Sequence, residues 1–170
     1  MTGSSEEPTR LRRPAPRPDD DRPVTPRLDR GSVDHRLITM RKAVGQLDSF
    51  GPMDRTRLES DPAAGLVVER ILALLVDLAF AINSHVSAAV LGEVPRTSDA
   101  SFAAAERAGM IDAELATALV PPDGPHHILL QLYLDTEPEA VAAVVSDALS
   151  GYEEYVRQVA HWTADRAPER

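Results

Sequence analysis

The segment from Asp61 to Leu91 does most to limit what this chain can fold into. It opens on Asp61-Pro62, an aspartate suited to accept the first free amides of a helix followed by a proline whose fixed φ suits the first helical position. From Leu66 to Ile82 it is apolar on most faces, and Gly92 and Pro95 end it. Its most apolar run, ILALLVDLAFAI, is interrupted by Asp77 and falls short of the roughly 20 residues that a membrane span needs. A helix apolar nearly all round has to be surrounded. The expectation is therefore a long helix at the centre of a bundle, or in a subunit interface, with no membrane association.

The flanking sequence agrees with an all-α fold. Aromatic residues make up only 4% of the 170-residue chain, so aliphatic side chains must fill the interior. No stretch alternates β-branched and polar residues between turn signals in the manner of a strand. Leu37, Met40, Val44, Leu47 and Phe50 recur at spacings of three and four after Ser32, a candidate N-cap, and Gly51-Pro52 closes that helix. A turn is expected around Met53 to Leu58. Thr97 or Ser98 caps a helix containing Phe102, and Gly109 closes it. Asp112 caps another, which Pro121-Pro122 stops. Asp123-Gly124-Pro125 restarts a short helix through Leu134, and Thr136 with Glu139 forms a capping box for the last one. That last helix carries Val141, Val144, Val145, Leu149, Tyr152, Val156 and Val159 on one stripe, continued by Trp162. The reading is an antiparallel helical bundle of five or six helices over residues 32–165, with short connections making sequential helices neighbours.

Residues 1–31 differ in character. They hold seven Arg against six Asp plus Glu, many prolines and few bulky apolar groups. Such a segment cannot bury enough surface to offset its ordering entropy, so a disordered tail is expected there, with a shorter one at 166–170. The chain has no cysteine, which removes disulfides and cysteine-based zinc sites. The N-terminus lacks the apolar core of a signal peptide, and the expected location is the cytoplasm. The net charge of −9 argues against broad nucleic-acid binding but leaves room for a small basic site.

Three segments carry more than fold class. The first, NSHVSAAVLGEVPRTSDASFAAAERAGMIDAELATAL, runs from a helix end through Val94-Pro95 and a capped helix to a short Glu-Leu helix, with His85 ten residues before Pro95. The second is DGPHHILLQLYLD, and the third is EPEAVAAVVSDAL at the start of the last helix. In this order they resemble the HepT-like branch of the HEPN superfamily. The resemblance implies a small helical bundle that forms a homodimer and is paired with a minimal nucleotidyltransferase in a toxin–antitoxin module. It also implies metal-independent cleavage of RNA, with no cofactor and no metal.

The catalytic motif of that family places arginine and asparagine at a helix start, histidine four residues after the asparagine, and tyrosine two residues further on. Aligning Tyr133 with the motif tyrosine puts His126 at the arginine position, His127 at the asparagine position and Gln131 at the histidine position. An arginine grips a phosphate with a planar, permanently charged fork, which an imidazole cannot reproduce. A histidine moves a proton near neutral pH, whereas a glutamine amide only exchanges hydrogen bonds. Losing a general acid or base costs about 10²–10⁴ in rate. The resemblance therefore implies a scaffold with impaired cleavage, or a nuclease that uses His126 and His127 in a variant site. It also implies that Tyr133 is an acceptor for adenylyl groups transferred by the partner. The alternative from another class is a non-catalytic structural or regulatory bundle.

Two residues outside this motif stand out. Asp77 interrupts an apolar helix, where a buried carboxylate needs a partner. Arg41 or Arg107 could supply one, or Asp77 could be an acid close to the site. His85 reads as a satisfied polar residue in the packing at a helix end.

Overall fold

The computed structural model describes residues 27–120 and 138–166, and all structural statements below concern these residues. They form six α-helices and no strand: α1 (Arg30–Ser49), α2 (Arg55–Ser60), α3 (Pro62–Val90), α4 (Ser98–Arg107), α5 (Ala113–Ala118) and α6 (Pro138–Asp165). The fold is the antiparallel helical bundle expected. The readings that residues 1–26 are disordered, that Pro121-Pro122 stops a helix and that 123–134 forms another fall outside the described residues, as does the Thr136 cap.

Local chemistry explains most helix limits. The Asp61 carboxylate accepts the Ala64 amide at 3.2 Å, and Pro62 occupies the first turn of α3. Thr97 caps α4 through the Ala100 amide, and Asp112 caps α5 through the Leu115 amide at 2.8 Å. Gly51, Gly92 and Gly109 each take a positive φ where the chain leaves α1, α3 and α4, a conformation that costs other residues steric energy. Two limits differ from the sequence reading. Asp29, not Ser32, caps α1, its carboxylate accepting the Ser32 amide at 3.1 Å, so Arg30 and Gly31 belong to the first turn rather than to a tail. The expected turn around 53–58 contains the short helix α2, capped by Asp54.

The core is aliphatic, as the composition requires. α1 contributes Val33, Leu37, Met40, Val44 and Leu47, and α3 contributes Val68, Ile71, Leu72, Leu75, Ile82 and Val86. α6 closes the bundle with Val145, Tyr152, Tyr155, Val156, Val159 and Trp162. α3 packs against α1, α2 and α4, while α6 packs against α1 and α5. α3 is thus central, but it is not enclosed on every side: Leu66, Val67, Arg70, Leu74 and Asp77 are exposed along one stripe. No helix among the described residues is long and apolar enough to cross a membrane.

Candidate functional site

The four motif positions read from the sequence, His126, His127, Gln131 and Tyr133, lie outside the described residues. The described residues show how the end of α5, just before them in sequence, is held. Leu119 and Val120 pack against the core. The Leu119 side chain lies so close to Gly151 of α6 that a Cβ there would sit 2.8 Å from Leu119 Cδ2. Absence of a side chain at position 151 lets the end of α5 lie directly on α6.

A polar clasp fixes the start of α5 to the same helix. The Asp112 amide donates to Gln158 Oε1 at 2.8 Å, and Gln158 Nε2 returns a hydrogen bond to Asp112 Oδ2 at 2.6 Å. Gln158 also donates to Glu154, which Arg157 grips from the other side, Nε lying 2.7 Å from its Oε2. The hydrogen bond from Arg157, followed by that from Gln158, holds the Glu154 carboxyl at about 2, below its ordinary 4.5. Asp112, Glu114, Asp147 and Glu154 line a shallow groove here. Four carboxylates with one adjacent arginine repel a phosphate backbone, so this face does not suit RNA.

A buried polar tie joins α3, α4 and α6. The Tyr155 hydroxyl donates to Asn83 Oδ1 at 2.7 Å, and Asn83 Nδ2 donates to Ser101 Oγ at 3.2 Å. All three residues are fully buried. The rings of Phe102 and Tyr152 meet Tyr155 edge to face. Burial pushes the Tyr152 and Tyr155 phenols well above the ordinary tyrosine range, so both remain neutral. The sequence reading passed over Asn83 and Tyr155. The spacing of Tyr155 three residues after Tyr152 was the available signal, and an asparagine on an otherwise apolar helix face was the other.

The remaining candidates resolve clearly. His85 is the satisfied polar residue expected: its Nε2 accepts the Asp29 amide at 2.8 Å, joining the start of α1 to α3. Trp162 is buried and its Nε1 donates to the Ala108 carbonyl at 3.4 Å. Asp77 departs from expectation. It is exposed, and among the described residues neither Arg41 nor Arg107 pairs with it. Arg107 is engaged instead by Glu93, a pair that spans the loop before α4. The reason is geometric. Asp77 falls on a stripe of α3 that no other helix covers among the described residues, so within the single chain its carboxylate is exposed and needs no internal partner. Among the described residues, no three His, Asp or Glu side chains converge as a metal site requires.

Comparison with known proteins gives the class first and then the family. The fold matches solved toxin–antitoxin structures. A crystal structure of a mutant MntA–HpeT toxin–antitoxin aligns with a TM-score of 0.64 at 18% identity, covering 77% of this chain and 98% of that one. A toxin–antitoxin crystal structure with AMP-PNP aligns with a TM-score of 0.61 at 16% identity, with the same coverage of each chain. The class is therefore that of the small all-α bundles found in these structures. A family profile described as ribonuclease HepT-like matches residues 40–159. The tRNA nuclease HepT of Aphanizomenon flos-aquae is 31% identical over 127 residues, which is 75% of this chain and 86% of that protein. The chain belongs to the HepT-like ribonuclease family.

Proposed function

We propose that this protein is the HepT-like member of a toxin–antitoxin pair, acting as a homodimer beside a minimal nucleotidyltransferase in the cytoplasm. In this reading its own metal-independent cleavage of RNA is impaired. The observation that carries the HepT-like reading is the 31% identity to a tRNA nuclease HepT over 127 residues. The solved structures of the same fold support the pairing, since both are described as toxin–antitoxin structures. Transfer RNA is the substrate class that the relative's name suggests.

The impairment follows from side-chain chemistry at the motif positions. His126 replaces a fixed bidentate cation with a group that is charged only when protonated, and His127 replaces an amide beside it. Gln131 offers a donor and an acceptor but cannot carry a proton through a transition state. Tyr133 keeps a phenol that can accept an adenylyl group: its oxygen attacks the α-phosphate of ATP, pyrophosphate leaves and the phenolic proton passes to solvent or a base. The protein then serves its pair through recognition and modification at Tyr133 more than through turnover of RNA.

The pairing is tested by co-expressing the chain with a nucleotidyltransferase encoded beside it. Copurification, with a mass increase of one adenylyl group that the Tyr133→Phe variant lacks, supports the reading. A chain that neither binds the nucleotidyltransferase nor gains mass in the presence of ATP contradicts it.

A further inference from the structure

The uncovered stripe of α3 has an unusual charge arrangement. Between Pro62 and Val90 the helix carries only three charged side chains besides His85, namely Glu69, Arg70 and Asp77. Arg70 and Asp77 both lie exposed on the stripe, and neither has an ion-pair partner among the described residues. Around them the stripe is apolar: Leu66 is 56% exposed, Val67 45% and Leu74 38%. Large apolar side chains exposed along a helix that is central to its own bundle mark a surface that binds something.

We infer that this stripe is a two-fold seam for a second copy of the chain, in which α3 packs antiparallel to its mate and Arg70 of each copy pairs with Asp77 of the other. The inference deepens the homodimer reading above and rests on it. A seven-residue separation places Arg70 and Asp77 on the same face, about 10.5 Å apart along the axis. In a two-fold antiparallel pair, the axis must pass midway between two residues that face each other. Centring it between Ala73 and Leu74 opposes Arg70 to Asp77 twice over, once on each side. The same register sets Leu66 opposite Ala81, Val67 opposite Phe80 and Leu74 opposite Ala73, large against small or aromatic. A parallel arrangement would instead oppose Arg70 to Arg70.

Self-complementarity of this kind is what a closed two-fold interface requires. It also accounts for Asp77, the one carboxylate set into the most apolar run of the chain. At each end of the seam, Leu66, Val67 and Arg70 border an apolar groove completed by Phe50 and Ile71, which the opposed Phe80 is placed to enter.

Charge reversal tests the register. Asp77 and Arg70 are solvent-exposed in the single chain, so Asp77→Arg and Arg70→Asp leave the fold intact, which circular dichroism checks. Sedimentation of the full chain is expected to show a dimer for wild type and dimer affinity weakened by about tenfold or more for either variant, because like charges then face each other. An equimolar mixture of the two variants is expected to recover the dimer as a heterodimer, seen by native mass spectrometry. Each contact then joins one arginine to one aspartate. A misfolded variant could not give that recovery. A wild-type dimer with both variants equally dimeric, or variants whose mixture stays monomeric, overturns this seam while leaving the homodimer reading standing. A monomeric wild type at tens of micromolar overturns both.

Discussion

The Tyr155 hydroxyl on α6 donates to the Asn83 side chain on α3 at 2.7 Å, across a separation of 72 residues, in a setting closed to water. This bond, with its extension from Asn83 to Ser101, ties together three helices whose packing is otherwise largely apolar. Tyr155→Phe keeps the ring and its edge contacts but leaves the Asn83 oxygen without its donor. A buried acceptor stripped of its partner costs about 1–3 kcal/mol. In a chain of this length each kcal/mol lowers the melting temperature by roughly 2–4 °C. Thermal unfolding of Tyr155→Phe and of the double variant Tyr155→Phe with Asn83→Leu checks this. The double variant is expected to lose less than the sum of the two single losses, since it removes both halves of the bond.

Two glycines are expected to respond to alanine in opposite directions. Gly45 sits in the interior of α1, exposed, with nothing within 4 Å of an added Cβ. Gly45→Ala removes conformational freedom from the unfolded chain at no steric cost and stabilises by about 0.5–1 kcal/mol. Gly92 has equally open surroundings but a φ of +71° where the chain leaves α3. Gly92→Ala is destabilising by about 1–2 kcal/mol, because the left-handed region crowds a Cβ against the following carbonyl. Denaturant midpoints for the two variants separate these effects. A Gly92→Ala variant as stable as Gly45→Ala would contradict the assigned backbone conformation.

The clasp at the start of α5 makes an acid-range prediction. Glu154 is held at about 2 by hydrogen bonds from Arg157 and Gln158. A carboxyl depressed in the folded state contributes stability that is present above its ordinary value and is lost as pH falls through the folded one. The window is therefore between about 4.5 and about 2. Because the Glu154 side chain is 36% exposed, solvent screening keeps the contribution small. Carbon-detected NMR titration of the Glu154 carboxyl is expected to give a midpoint near the lower limit, returning toward the upper one in Arg157→Ala. A normal midpoint in the intact protein would mean that the clasp is open in solution.

Most of the fold was legible in the sequence because helix limits are set by local chemistry. Asp61-Pro62, Asp112 and the glycines at 51, 92 and 109 act within a few residues of themselves, and each was read correctly, while Thr97 proved to be the cap of the two residues, Thr97 and Ser98, that the sequence offered. The cap of α1 was misplaced at Ser32 because Asp29, three residues earlier, offers the same side-chain oxygen. Asp77 was misjudged for a different reason. Apolar composition alone does not say which stripe of a central helix is left uncovered, and that depends on where α1, α2 and α4 pack. The Asn83–Tyr155 tie was missed because it joins residues distant in sequence. For the candidate site the sequence speaks alone: the roles of His126, His127, Gln131 and Tyr133 rest on motif alignment, and the described structure supplies only the packing of the helix before them.

Cleavage of tRNA by the purified chain without added metal tests whether this HepT-like bundle has kept its place in a pair while losing its cutting chemistry. Three proteins are compared: wild type, His126→Ala, and the reverting variant His126→Arg with Gln131→His. The expected result is an inert or barely active wild type, and a reverting variant whose cleavage rises by about 10²–10⁴ as the phosphate-gripping cation and the proton carrier return. A wild type that cuts efficiently, with activity abolished in His126→Ala, would contradict it and establish a variant nuclease site.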